Sequence, residues 1–138
     1  MQVWSPFLQR DKETLERVQK RATKIVPNLC NLPYERRLKE LGLTTLENRR
    51  TRGDLIEVYK LIYNHENINS ELFFHSREYD GLRGHSQMLQ MYRSRLNVRK
   101  HFFSNRIVTL WNSLPQHIVS APSVNCFKNR YDKYYHGL

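Results

Sequence analysis

The sequence predicts a mainly α-helical fold: a small bundle of about five helices with one short extended segment. Three observations point there. Apolar residues recur at i, i+3, i+4 and i+7 in five separate windows. Proline, glycine or a capping residue stands at the ends of those windows. One stretch, Gln87–Val98, lacks a helical period and alternates instead, with Met91, Arg93 and Arg95 on one side and Tyr92, Ser94 and Leu96 on the other.

In chain order, Val3–Leu8 reads as the tail of an element that begins upstream, and Trp4 finds nothing before it to pack against. Asp11 can cap a helix running to about Val26, ahead of Pro27. Leu15, Val18, Ala22, Ile25 and Val26 form its expected buried face. Arg17, Lys20, Arg21 and Lys24 form a second stripe. Glu13–Arg17 and Glu16–Lys20 are i,i+4 pairs worth about 0.2–0.5 kcal/mol each. That pairing leaves Arg21 and Lys24 without a local acid.

Pro33 suits the first position of a short helix and Gly42 its C-terminal cap. Tyr34, Leu38 and Leu41 make its apolar stripe, and Arg36, Arg37 and Lys39 point elsewhere. Thr44 with Glu47 matches a capping box that opens a long helix to about Asn64. Its second half is strongly apolar. Its first half holds Arg49, Arg50 and Arg52. Asp54 stands four residues after Arg50 and can pair with it, so Arg49 and Arg52 remain as candidate phosphate ligands.

Leu72, Phe73 and Phe74 anchor a polar connector. Tyr79–Ser86 carries two glycines and reads as a turn, in which Gly84, between Arg83 and His85, lets backbone come close to a ligand. Arg99–Pro115 is the central helix. Phe103, Ile107, Leu110, Trp111 and Leu114 form its stripe, Asn97 can cap it, and Arg99, Lys100 and Arg106 lie off the stripe. With Arg93 and Arg95, Arg99 and Lys100 make the densest basic cluster lacking acids. Ser123 can cap a last helix with Val124, Phe127, Tyr131 and Tyr134 inward and Lys128, Arg130 and Lys133 outward.

The charge is unevenly placed. The chain carries +10 overall, with +2 in residues 1–80 and +8 in 81–138, and no acid between Asp80 and Asp132. The length suits one domain, divisible into a helical part (1–80) and a basic part (81–138). Arg outnumbers Lys 15 to 8, and Arg favours planar, bidentate contact with phosphate. A basic half interleaved with Tyr, Phe and His is the footprint of nucleic-acid contact. The candidate phosphate ligands are Arg21, Lys24, Arg49, Arg52, Arg83, Arg93, Arg95, Arg99, Lys100 and Arg106.

Other functions lack their residues. No acids are paired in a magnesium-holding motif, and none of H-E-x-x-H, G-x-S-x-G or a Gly-rich nucleotide loop occurs. Cys30 and Cys126 stand far apart without zinc spacing, and a disulfide between them stays open. No apolar run is long enough for a membrane span. The start, M-Q-V-W-S-P-F, lacks the pattern of a signal peptide. The expectation is a non-catalytic chain with no cofactor, metal, membrane or small-molecule ligand.

Seven stretches carry a further likeness: V-W-S-P (Val3–Pro6), L-E-R-V-Q-K-R-A-T (Leu15–Thr23), Y-E-R-R-L-K-E-L-G-L (Tyr34–Leu43), L-E-N-R-R-T-R-G-D-L-I (Leu46–Ile56), R-G-H-S (Arg83–Ser86), R-K-H-F-F-S-N-R-I-V-T-L-W-N-S-L-P (Arg99–Pro115) and F-K-N-R (Phe127–Arg130). In this order and spacing the chain resembles the C-terminal region of non-LTR (LINE-type, jockey-like) retrotransposon reverse transcriptases. The resemblance implies a parent RNA-directed DNA polymerase, usually with an N-terminal endonuclease, acting in the nucleus or cytoplasm. The palm's Tyr-x-Asp-Asp motif is not in this chain, so no catalytic residue is carried over. A zinc knuckle, present in some members, is not visible either. The chain is then the segment beyond the palm, on the thumb side, holding template RNA or target DNA beside the upstream polymerase domains. The competing expectations are a protein-interaction module, docking on the polymerase body or a host factor through Trp4, Phe73 and Phe74, and an inactive relic of a mobile element.

Overall fold

The computed structural model describes residues 5–6, 8–77, 84–93, 95–96 and 101–136. Trp4, Arg83, Asn97, Arg99 and Lys100 lie outside them. The fold is mainly helical, as the periodicity predicts. The helices are α1 (Gln9–Ile25), α2 (Tyr34–Glu40), α3 (Leu46–Ile62), α4 (Phe103–Arg106), α5 (Val108–Asn112), α6 (Gln116–Val119) and α7 (Val124–His136), with a 3-10 turn at Ser70–Leu72. The chain divides into two compact units between Arg52 and Gly53, inside α3. The division expected near residue 80 is not where it falls, because Phe74, Leu89 and the second half of α3 share one core.

Polar contacts organise the N-terminal unit. Leu8, not Asp11, is the residue at the start of α1, and Asp11 sits in the first turn, where its charge suits the helix dipole. Glu16 joins all three helices: Tyr34 Oη donates to its Oε1, and the backbone N–H of Leu46 donates to its Oε2 at 3.0 Å. Gln19 Nε2 donates to Tyr34 Oη and to the Thr44 carbonyl, each at 3.0 Å. The expected buried face of α1 is overturned. Thr23 is its buried residue, whereas Val18 is 64% and Ile25 82% exposed.

α2 ends as its glycine predicts. Gly42 takes φ +62°, Leu43 N–H donates to Leu38 O at 2.8 Å, and Gly42 N–H to Lys39 O at 3.1 Å. This Schellman closure satisfies two carbonyls left over at the helix end. At α3 the cap is Thr45, whose Oγ1 accepts from Asn48 N–H at 3.3 Å. Glu47 is not in the expected box with Thr44; it pairs with Lys12 at 2.7 Å.

The C-terminal unit holds the hydrophobic core. Leu55, Val58, Tyr59, Ile107, Trp111, Ile118 and Phe127 are buried in one cluster. Each such apolar side chain contributes about 1.5–3 kcal/mol on burial. Rings carry much of the packing, with Phe127 stacked on Tyr59 at 4.6 Å and on Trp111 at 6.0 Å. Tyr59 and Tyr63 keep their hydroxyls satisfied by donating to Ala121 O and Val119 O, around the end of α6.

The central helix is shorter than its stripe suggests. It begins at Phe103, with Phe102 at its start, and runs as α4 and α5 joined through Ile107. Leu110 is exposed, and Val108 takes a core place instead. In α7, Ser123 Oγ accepts from Cys126 N–H at 3.2 Å as a cap. Phe127 and Tyr131 are buried, but Tyr134 faces out at 53% exposure.

The segment expected to be extended carries one antiparallel bridge, Leu89 to Ser76. Its docking explains the Gly-His-Ser run. Leu89 N–H donates to Asn112 Oδ1 at 2.9 Å, and Asn112 Nδ2 donates to Leu89 O at 2.8 Å. Trp111 Nε1 donates to Gln87 O at 2.7 Å, and Ser86 N–H to Gln116 Oε1 at 2.8 Å. His85 is fully buried, edge-on to the Trp111 ring. Its Nδ1 accepts from Gln87 N–H, so Nε2 carries the proton and donates to Trp111 O at 2.9 Å. Gly84 has φ +98°, and a Cβ there would stand 2.4 Å from Met88 Sδ. The positive φ is what calls for glycine in this turn; the Met88 side-chain end is flexible and can give way.

Candidate functional site

α1 ends at Ile25 because Val26 turns extended ahead of Pro27, which has no N–H to continue the ladder. A turn follows in which Asn28 takes φ +68° and Leu29 N–H donates to Val26 O. The chain then enters α2 behind Pro33. Between α1 and α2 this leaves an open cleft of about 630 Å³. Arg17, Lys20, Arg21 and Lys24 line it from α1, and Tyr34 and Arg37 from α2. No acid is among its lining residues. At 1.5 Å rise per residue, the four α1 cations span about 10.5 Å along the helix axis.

Arg37 forms one wall and is 4% exposed. Its Nε donates to Thr23 Oγ1 at 3.1 Å, Nη1 to Leu32 O at 2.8 Å and Nη2 to Lys20 O at 3.3 Å. All three acceptors are neutral. Among the described residues no carboxylate meets this buried guanidinium, so neutral acceptors and the Tyr34 ring compensate its charge. That is an expensive arrangement, and its field opens toward the cleft.

Tyr34 fixes the cleft's geometry. Lys20 Nζ lies 5.1 Å and the Arg37 guanidinium 5.6 Å from its ring centre, within cation–π reach. Burial, then donation to Glu16, pushes the Tyr34 hydroxyl up to about 12. It therefore stays protonated and holds Glu16 in place at neutral pH. With Glu16 engaged there, the Glu16–Lys20 pair does not form, and Glu13 accepts from Gln9 in place of Arg17. Arg17, Arg21 and Lys24 are exposed and make no ion pair among the described residues.

The candidates fare differently. Arg21 and Lys24 meet in the cleft, joined by Arg17 and Lys20 of the same stripe, which were expected to pair with Glu13 and Glu16, and by Tyr34 and Arg37 of α2. Arg49 is exposed on α3 outside the cleft lining, and Arg52 is half-buried with a partner of its own. Arg93 and Arg95 are exposed in the C-terminal unit. Arg106 is a correction. Its Nη2 and Nε donate to Asp54 Oδ2 at 2.8 and 3.1 Å, and Asp54 is 4% exposed. The same contact overturns the expected Arg50–Asp54 pair. Arg37 is the second correction: it faces inward, at i+3 from Tyr34 on the same stripe as Leu38 and Leu41. That spacing was the available signal, masked by the residue's charge.

Cys30 and Cys126 are both free thiols, and no cluster of three metal-ligating side chains occurs among the described residues. No described helix is long and apolar enough to cross a membrane. Comparison with protein families, with curated proteins and with solved structures finds no match to this chain.

Proposed function

We propose that the chain is a non-catalytic nucleic-acid-binding module that grips RNA or DNA by its phosphates at the α1–α2 cleft. The resemblance to the C-terminal region of non-LTR retrotransposon reverse transcriptases makes the ligand template RNA or target DNA, held for upstream polymerase domains. The observation that carries the reading is Arg37, a buried guanidinium with neutral partners behind four exposed cations and no acid. Four such cations at helical spacing neutralise phosphate without reading bases.

Four neutralised phosphates give a log–log salt slope of about −2.8 on a single strand and about −3.6 on duplex. Fluorescence anisotropy of the full chain with labelled oligouridine, titrated across salt, measures it. Arg21→Gln/Lys24→Gln lowers the slope by about 1.4 on the single strand and weakens binding uniformly across sequences. A slope near zero, or a variant that binds as the parent does, overturns the proposal.

A further inference from the structure

The C-terminal unit carries an exposed aromatic that its core does not use. Ser76 and Leu89 form an antiparallel bridge, framed by Arg77 N–H donating to Met88 O and Gln90 N–H donating to His75 O, each at 2.8 Å. Side chains alternate between the two sides of such a pair. Phe74 and Leu89 turn into the core, so His75, Arg77 and Gln90 stand on the outer side. Tyr92 joins them there, with its ring 5.5 Å from that of His75 and at 79° to it. Rings at that angle meet edge to face, so His75 braces Tyr92 and covers at most one of its faces. Tyr92 is 48% exposed, which leaves a flat apolar surface open to solvent.

The surroundings of this ring are cationic. Arg77 shares its side, Arg93 follows it directly in the chain, and Arg95 stands two residues further on. All three are exposed and make no ion pair among the described residues. The sequence holds no acid between Asp80 and Asp132. An open π face beside guanidinium groups suits a ligand that alternates flat rings with negative charge, as a single strand of nucleic acid does. An acidic peptide would meet the arginines and leave the ring face bare. We propose that Tyr92, braced by His75, is a stacking platform for a base of single-stranded RNA or DNA, with Arg77 and Arg93 on the adjoining phosphates. This site rests on the reading above only in taking nucleic acid as the ligand; it lies in the other unit and adds contact with a base. Every base has a π face, so the contact favours single strands over duplex without reading sequence.

The test uses the full chain with labelled oligothymidine, an oligomer of the same length carrying tetrahydrofuran in place of every base, and a duplex. By fluorescence anisotropy the parent binds the base-bearing strand at least about fivefold tighter than the base-free one. Tyr92→Leu removes that preference and Tyr92→Phe keeps it. Neither variant moves the circular dichroism melt, because the ring is exposed. On duplex, Tyr92→Leu binds within about twofold of the parent. Arg77→Gln/Arg93→Gln weakens both single strands alike. Equal binding of the two strands by the parent overturns the proposal, as does a loss in Tyr92→Leu that is the same on both. So does binding to phosphatidylserine vesicles that Tyr92→Leu abolishes. If Arg21→Gln/Lys24→Gln weakens oligothymidine binding and Tyr92→Leu does not, the cleft stands and this site falls; the reverse pattern removes the cleft and supports this site.

Discussion

Replacing Arg106 with Met tests whether that guanidinium is a structural group or a phosphate ligand. Two charge-assisted bonds, at 2.8 and 3.1 Å, join it to Asp54, and a third donation runs to His101 O at 3.3 Å. The Asp54 side chain is 6% exposed and the Arg106 side chain 18%, so water screens neither well. Removing the arginine takes two charge-assisted bonds from a buried carboxylate, for which about 3 kcal/mol is the expected loss. At about 4 °C per kcal/mol, the melting temperature of the C-terminal unit falls by about 12 °C. Asp54→Leu alone destabilises similarly, while the double variant costs about 2 kcal/mol less than the sum of the two. Urea titration followed by near-ultraviolet circular dichroism supplies the cycle. Oligouridine affinity changes by less than about twofold, because the side chain is turned to Asp54. A stability loss under about 1 kcal/mol together with a tenfold loss of affinity would refute the reasoning and return Arg106 to the phosphate ligands.

Two further outcomes are expected. His85 has its proton affinity lowered by burial, so below the ordinary imidazole value of about 6.5 the unfolded chain binds more protons than the folded one. Its contribution is complete above that pH and is lost as pH falls toward the folded value, at up to about 1.4 kcal/mol per pH unit, and His85→Gln flattens the acid limb of a stability–pH curve. A limb unchanged in that variant removes the assignment. Gly84→Ala, at φ +98° and against Met88 Sδ, costs about 1–3 kcal/mol. Adding Met88→Ala recovers the steric part alone, and a thermal melt of Gly84→Ala that matches the parent contradicts this account.

Hydropathy spacing located the C-terminal core well. Phe103, Ile107, Trp111, Phe127 and Tyr131 are buried where their stripes put them. Such spacing ranks residues by their aversion to water, and it failed where polar groups do the anchoring. In α1 the apolar side was expected inward, yet Glu16, Gln19 and Thr23 have specific partners on α2 and α3 and win the inner position. Arg37 was misplaced for the same reason: three neutral acceptors, brought together by folding, make burial tolerable for a group that composition alone sends outward. Asp54 illustrates distance along the chain. A local partner stood four residues away, whereas Arg106, which bonds it, stands 52 residues away, and no local pattern announces that. Of the cleft, Arg21 and Lys24 were legible because no nearby acid claimed them.

The docking of residues 86–89 on α5 and α6 has a consequence for how the chain tolerates change in length. Asn112 offers Leu89 both a donor and an acceptor, so an amide side chain takes the part that a neighbouring strand would play. Trp111 and Gln116 hold Gln87 and Ser86, two and three positions before it, at fixed intervals. Adding or deleting a single residue between Ser86 and Leu89 would put every one of these partners out of step together, and turn Leu89 from the core toward water.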